Sequence, residues 1–232
     1  MSTMAPELPA GNSETFADDL AGMGSFLVDP AGAARRVFHK WFWVGPLILF
    51  SAVSLIAAYI IIPYTLQAMQ AMGLSDQQVQ MAQRIQHIVM WFAPVSAAVI
   101  YAIEALILYA VASVSSVNAS YRSLFNLIAG CSLIQMLAAI ASVIVLKMKG
   151  EVTSMAELRP ALGIDIFLPQ GTNKYLAALL GYFSIFELWW IVMMVLVFSH
   201  AFRVKPGKAF LVLLPLLVIS LLFRLVSAAF GR

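Results

Sequence analysis

The chain has 232 residues, 62% of them hydrophobic and 11% charged, with a mean hydropathy of +0.91. Soluble domains carry about a quarter charged residues, so this composition excludes a water-soluble globular protein and indicates an integral membrane domain with a short polar head. The formal net charge of +3 is not a nucleic-acid signal, because the cations gather at the ends of apolar runs, where membrane topology and lipid headgroups account for them. The single cysteine, Cys131, sits inside an apolar run. An intramolecular disulfide and a cysteine-based metal site are therefore both ruled out.

Residues 1–24 mix Pro6, Pro9 and Gly11 with acidic residues and few large apolar side chains, which predicts a disordered N-terminal tail without a cleavable signal peptide. Residues 25–43 read differently. Asp29-Pro30 has the form of an N-cap followed by proline at the first helical position. Ala34, Phe38 and Trp41 then recur on one face, while Arg35, Arg36, His39 and Lys40 cover much of the rest. This pattern predicts an interfacial amphipathic helix, aromatic on one side and basic on the other, lying at the inner headgroup layer.

Residues 44–232 form the membrane domain. The first span covers Val44–Ile62, whose 19 residues are all uncharged and reach about 28 Å, close to a bilayer core. Pro63 is expected to kink this helix rather than end it. The second span is Ile88–Val117. Between the two, Tyr64–His87 holds seven glutamines and one arginine. Gly73 reads as a helix stop and Ser75-Asp76-Gln77-Gln78 as a capping box. Met81, Ile85, Ile88 and Phe92 form an apolar stripe, so the first two spans are expected to extend out of the membrane as a helical hairpin. Phe125–Leu146 is the third span, with Gly130, Ile134, Ala138 and Ser142 in one row suited to close helix packing. Lys147–Tyr175 is a polar connection, with a possible helix start at Ser154 and an apolar stretch, Gly163–Pro169, expected to fold back on the span ends. The fourth span is Leu176–Phe202 and the fifth Ala209–Phe230. The predicted fold is all-α: a bundle of five transmembrane helices.

Three charges lie within these spans: Glu104, Glu187 and Arg224. Each would cost at least ~2.5 kcal/mol unpaired in lipid. Counted from Arg122, Arg203 and Lys208, they fall at similar depths in the outer half, within ~3 Å along the membrane normal. This predicts an intramembrane charge cluster in which Arg224 meets one or both glutamates. Arg35, Arg36, Lys40, Arg122, Arg203, Lys205 and Lys208 are expected as inner-face lipid anchors, dense in short segments at span ends. Their density places the N-terminus in the cytoplasm and the C-terminus outside. No catalytic residue, metal ligand or cofactor site is expected: the chain has no HExxH, CxxC or phosphate-binding loop, and Ser184, Ser199 and His200 form no nucleophile–base–orienter set. Trp189 and Trp190 lie too deep for an aromatic belt and are expected to pack between helices.

Several segments carry a resemblance: Asp29-Pro30 before the basic helix, Tyr121-Arg122-Ser123-Leu124-Phe125-Asn126-Leu127, Phe183–Trp190, and Val204-Lys205-Pro206-Gly207-Lys208-Ala209. Over residues 26–230 the chain resembles bacterial Yip-domain membrane proteins. The resemblance implies five spans, a cytoplasmic N-terminus and no enzymatic activity. The Asp-Leu-Tyr-Gly-Pro motif of eukaryotic relatives linked to Rab GTPases is absent here. Some bacterial relatives resemble accessory partners of ABC-type export systems. The expected role is thus a non-enzymatic accessory or scaffold protein of the bacterial inner membrane. Its expected partners are membrane lipids and another integral membrane protein, an ABC-type exporter, with room for an oligomer and none for nucleic acid. The alternative is a small transporter or channel that uses Glu104 and Glu187.

Overall fold

The computed structural model describes residues 16–158, 162–169 and 172–230. In chain order the helices are α1 (Phe16–Val28), α2 (Pro30–Arg36), α3 (Val44–Ala71), α4 (Asp76–Val114), α5 (Tyr121–Lys149), α6 (Lys174–Tyr182), α7 (Ile185–Phe202) and α8 (Pro206–Phe230). Five of them, α3, α4, α5, α7 and α8, are long and apolar enough to cross a membrane. Among the described residues there is no strand beyond one antiparallel bridge between Gly163 and Ser184. The all-α, five-span architecture read from the sequence is the architecture observed.

Helix length controls the arrangement. α3 has 28 residues and α4 has 39, or about 42 and 58 Å, against a bilayer core of about 30 Å. They share one tight turn. Gly73 supplies its left-handed residue at φ 77°, and Gln78 accepts the Ser75 backbone N–H at 3.0 Å as α4 starts. Pro63 lies inside α3 and Pro94 inside α4. Because the two helices run antiparallel from this turn, α4 overhangs the start of α3 by ~16 Å at the far end. The edge-to-face contact of Phe50 with Tyr101, centroids 5.8 Å apart, marks where α3 begins to run beside α4.

α1 packs mainly on α5 and α2 mainly on α7, at the end of the bundle where α3 begins. Met23, Phe26, Ala33, Ala34, Val37 and Phe42 are all buried there. Phe26 stacks on Phe42 at 5.0 Å and lies against Gly130 of α5, where any side chain would overlap its ring. Trp189 of α7 donates its Nε1–H to the Leu27 carbonyl at 2.9 Å. The expected disordered tail over 1–24 is therefore helical from Phe16 onward; residues 1–15 lie outside the described residues. The single interfacial helix expected over 25–43 is instead the end of α1, all of α2 and a turn, and of its expected apolar side Ala34 is buried. Aromatic packing inside the bundle removes more apolar surface than a headgroup layer could. Phe38 and Trp41 do stay exposed, with the Lys40 ammonium 5.6 Å from the Trp41 ring.

One buried side chain secures this junction. Asn126, fully buried in α5, donates to the carbonyls of Val37 at 2.9 Å and His39 at 2.7 Å. Its carbonyl oxygen accepts the Trp43 N–H at 3.1 Å. At the opposite end, Glu157 accepts the Thr153 backbone N–H at 2.9 Å and pairs with Lys149 at 3.1 Å. Those contacts, the Thr153 N–H first, hold its carboxyl below the usual glutamate range. The helix start expected at Ser154 is thus fastened through Thr153, leading into a single 3-10 turn, Met155–Leu158. Val152 is buried against Ala68 of α3 and Leu146 of α5.

Asn126→Leu leaves two carbonyls and one N–H without their partner, at about 1–3 kcal/mol for each buried group. We expect a markedly lower melting temperature in detergent, with Asn126→Asp restoring only the Trp43 contact. A melt within 2 °C of the parent, a shift of about 0.5–1 kcal/mol at most, overturns this account.

Candidate functional site

The fourth span is not one helix. α6 ends at Tyr182 and α7 begins at Ile185, with Phe183 and Ser184 outside helical geometry. The continuous span expected over Leu176–Phe202 is thus corrected to two helices, and Glu187 moves from mid-span to the first turn of α7. Ser184 caps that turn, its Oγ accepting the Glu187 N–H at 3.1 Å.

The break is held from outside. Gly163 pairs with Ser184 through the bridge, so the 3-10 turn Ile164–Phe167 becomes a strap across the gap. Asp165 accepts the Gly163 N–H at 3.1 Å. A Cβ on Gly181 would stand 2.8 Å from Asp165 Oδ2 and 3.1 Å from Arg224 Nη2. The bare glycine is what lets the strap carboxylate and the α8 guanidinium converge on one spot.

Glu187 Oε2 accepts a hydrogen bond from Gln135 Nε2 of α5 at 3.0 Å. Glu187 also lies close enough to Arg224, and Glu104 close enough to Glu187, for their charges to act on each other. Among the described residues no ion pair within 4 Å joins Arg224 to either glutamate. Arg224 instead sits with its guanidinium carbon 6.0 Å from the Tyr182 ring, and the Tyr182 hydroxyl donates to the Leu217 carbonyl at 3.4 Å.

Between α4 and α5 the chain turns through residues 115–120, with Ser116 at φ 54°. Chemically, the set offers two carboxylates, an amide, a phenol and a guanidinium. It can hold a proton or a cation and offers no nucleophile with an oriented base. Among the described residues no group of three or more His, Cys, Asp or Glu could hold a metal ion.

The seven cations expected at the inner face gather at one end of the bundle. Arg35, Arg36 and Lys40 lie around the end of α2, Arg122 at the start of α5, and Arg203, Lys205 and Lys208 in the turn between α7 and α8. The Phe38–Phe202 ring contact at 5.9 Å joins the first group to the last. Arg203 closes α7 in the left-handed conformation at φ 52°. Trp190 is buried and Trp189 half-buried between helices, as expected from their depth.

Sequence reasoning missed Gln135, Tyr182, Gly181, Asp165 and Ser184. For Ser184 the signal was present: Ser184-Ile185-Phe186-Glu187 has the spacing of a capping box, hidden within an apolar run.

Gln135→Leu removes the direct partner of the Glu187 carboxylate and should cost about 1–3 kcal/mol, read as a lower melting temperature in detergent. Gln135→Leu combined with Glu187→Leu should recover most of that loss. Additive losses in the double variant would show that the two side chains do not interact.

Comparison with curated proteins and with solved structures gives no significant match. A family model, the Yip1 domain, matches residues 23–228, which takes in the end of α1, all of α2 to α7 and all but the last two residues of α8. The chain therefore belongs to the Yip1 domain family of membrane proteins.

Proposed function

We propose that the protein is a non-enzymatic scaffold of the bacterial inner membrane that binds another integral membrane protein, the membrane-spanning part of an ABC-type exporter. The observation that carries this reading is the strap. Ile164, Ile166 and Phe167 are 48%, 64% and 84% exposed, yet the strap that bears them is fixed to the break between α6 and α7 by the Gly163–Ser184 bridge. Apolar side chains displayed on an anchored segment have the character of interface anchors. The concentration of cations at the other end supports a cytoplasmic N-terminus and an external C-terminus, with Arg35, Lys40, Arg122, Arg203, Lys205 and Lys208 on lipid phosphates. A photo-crosslinking residue at Phe167 in native membranes should capture an exporter subunit, and Ile166→Asp with Phe167→Asp should abolish the adduct. Adducts to lipid alone, or none, overturn the reading.

The helix break favours a second reading, a small transporter. Half-helix ends beside ionisable groups are where transporters bind substrate and coupling ions. In sealed proteoliposomes this reading requires a proton or sodium flux that Glu187→Gln abolishes. Flux unchanged by Glu187→Gln and Glu104→Gln removes it.

A further inference from the structure

We infer that Tyr101, Glu104, Ser132 and Glu187 form a binding site for a small monovalent cation, of the sodium class, between α4, α5 and α7. Two pairs of polar residues bring the site together. Tyr101 and Glu104 stand three apart on α4, and Ser132 and Gln135 three apart on α5, so each pair shares one side of its helix. α5 packs against both α4 and α7, and its Gln135 holds the Glu187 carboxylate at 3.0 Å.

Tyr101 carries the observation that calls for a ligand. It is 7% exposed, its ring stands edge-on to Phe50, and its hydroxyl has no hydrogen-bond partner. A buried hydroxyl in that state is rare, and a bound ion or water is a common reason for it. The hydroxyl lies beside Ser132 and within the field of Glu104, and Glu104 lies within the field of Glu187. Ser132 donates its own proton to the Ala129 carbonyl at 2.7 Å, which leaves its oxygen lone pairs to a ligand. Among the described residues Glu104 has no ion-pair partner within 4 Å.

The donors select the occupant. All of them are oxygens, which suit hard cations rather than transition metals. Calcium takes about six to eight oxygens, and magnesium demands a near-ideal octahedron with several waters. Two carboxylates, one already hydrogen-bonded to Gln135, and two neutral hydroxyls fall short of both. Arg224 acts on Glu187 through space from its place against Tyr182, so the charge left to neutralise is closer to one than to two. A proton on Glu104 would cancel that charge and leave the Tyr101 oxygen as it is, whereas a cation between them engages both. The site shares Glu104 and Glu187 with the transporter reading but does not rest on it: sodium binding without flux leaves the site standing and removes transport.

The test is thermal melting of the full chain in detergent at fixed pH and ionic strength, with sodium chloride replacing choline chloride. The melting temperature should climb with the logarithm of the sodium concentration once the site begins to fill. Tyr101→Phe, which removes only the unpartnered hydroxyl, should melt like the parent in choline and shift the sodium response to higher concentration by about tenfold or more, the scale on which groups around a metal site act. Glu104→Gln should melt no lower than the parent in choline and show no sodium response. Identical melts in sodium and choline, an unaltered sodium response in Tyr101→Phe, or stabilisation by calcium or magnesium at lower concentration than by sodium would each overturn the proposal.

Discussion

The arrangement depends on Asn126. In a bilayer, backbone groups outside helices have no water to turn to, and irregular chain survives only where protein supplies the missing partners. Residues 37–43 are such irregular chain, linking α2 to α3 at the level of the bundle. Asn126 satisfies three of their backbone groups from a single position on α5. No aliphatic residue could do so, and a carboxylate could serve only the N–H. The link leads into α3 beside α5, and Phe26 lies on Gly130 of that same helix. α1 and α2 are thus part of the core rather than an attachment to it.

The same rule explains the second irregularity, at Phe183 and Ser184. A helix start leaves backbone donors without partners in the helix, and here they find partners nearby. Ser184 Oγ takes the Glu187 N–H, and the strap supplies a bridge through Gly163. Glycine at 163 and at 181 keeps this junction thin enough for strap, α6 and α8 to meet. Both interruptions are therefore closed by protein, one by a side chain and the other by a returning loop.

What the sequence could reveal followed the strength of its local signals. Long uncharged runs fix the number of spans, because a bilayer leaves few alternatives. The turn between α3 and α4 is legible because Gly73, Ser75 and Gln78 each have one physical use there. α1 was missed because its acidic and small residues resemble a tail, although Phe16, Leu20, Met23 and Leu27 recur at helical spacing. Its partner surface lies more than a hundred residues away, on α5 and α7, and local composition cannot report that. The break in the fourth span was hidden for the opposite reason: apolar residues continue through it, and only the spacing of Ser184 and Glu187 marks a helix start. The charged trio was recognisable as residues, but its geometry was not. Depth depends on where helices end, and neutral Gln135 attracts no attention among formal charges.

That amide changes what Glu187 can be. A carboxylate locked directly to a guanidinium has its charge cancelled where it stands and serves mainly to fix helix neighbours. Glu187 is held instead by a neutral donor at 3.0 Å and by the first turn of its own helix. Those contacts leave Arg224 against Tyr182 and beside the strap carboxylate. The acid and the base of the site are thus set on opposite sides of the helix break, coupled through space and not joined. Movement of the strap would alter what Arg224 faces without breaking any contact of Glu187. The strap is also the element that bears the exposed Ile166 and Phe167, so that surface and the surroundings of Arg224 meet in the same few residues.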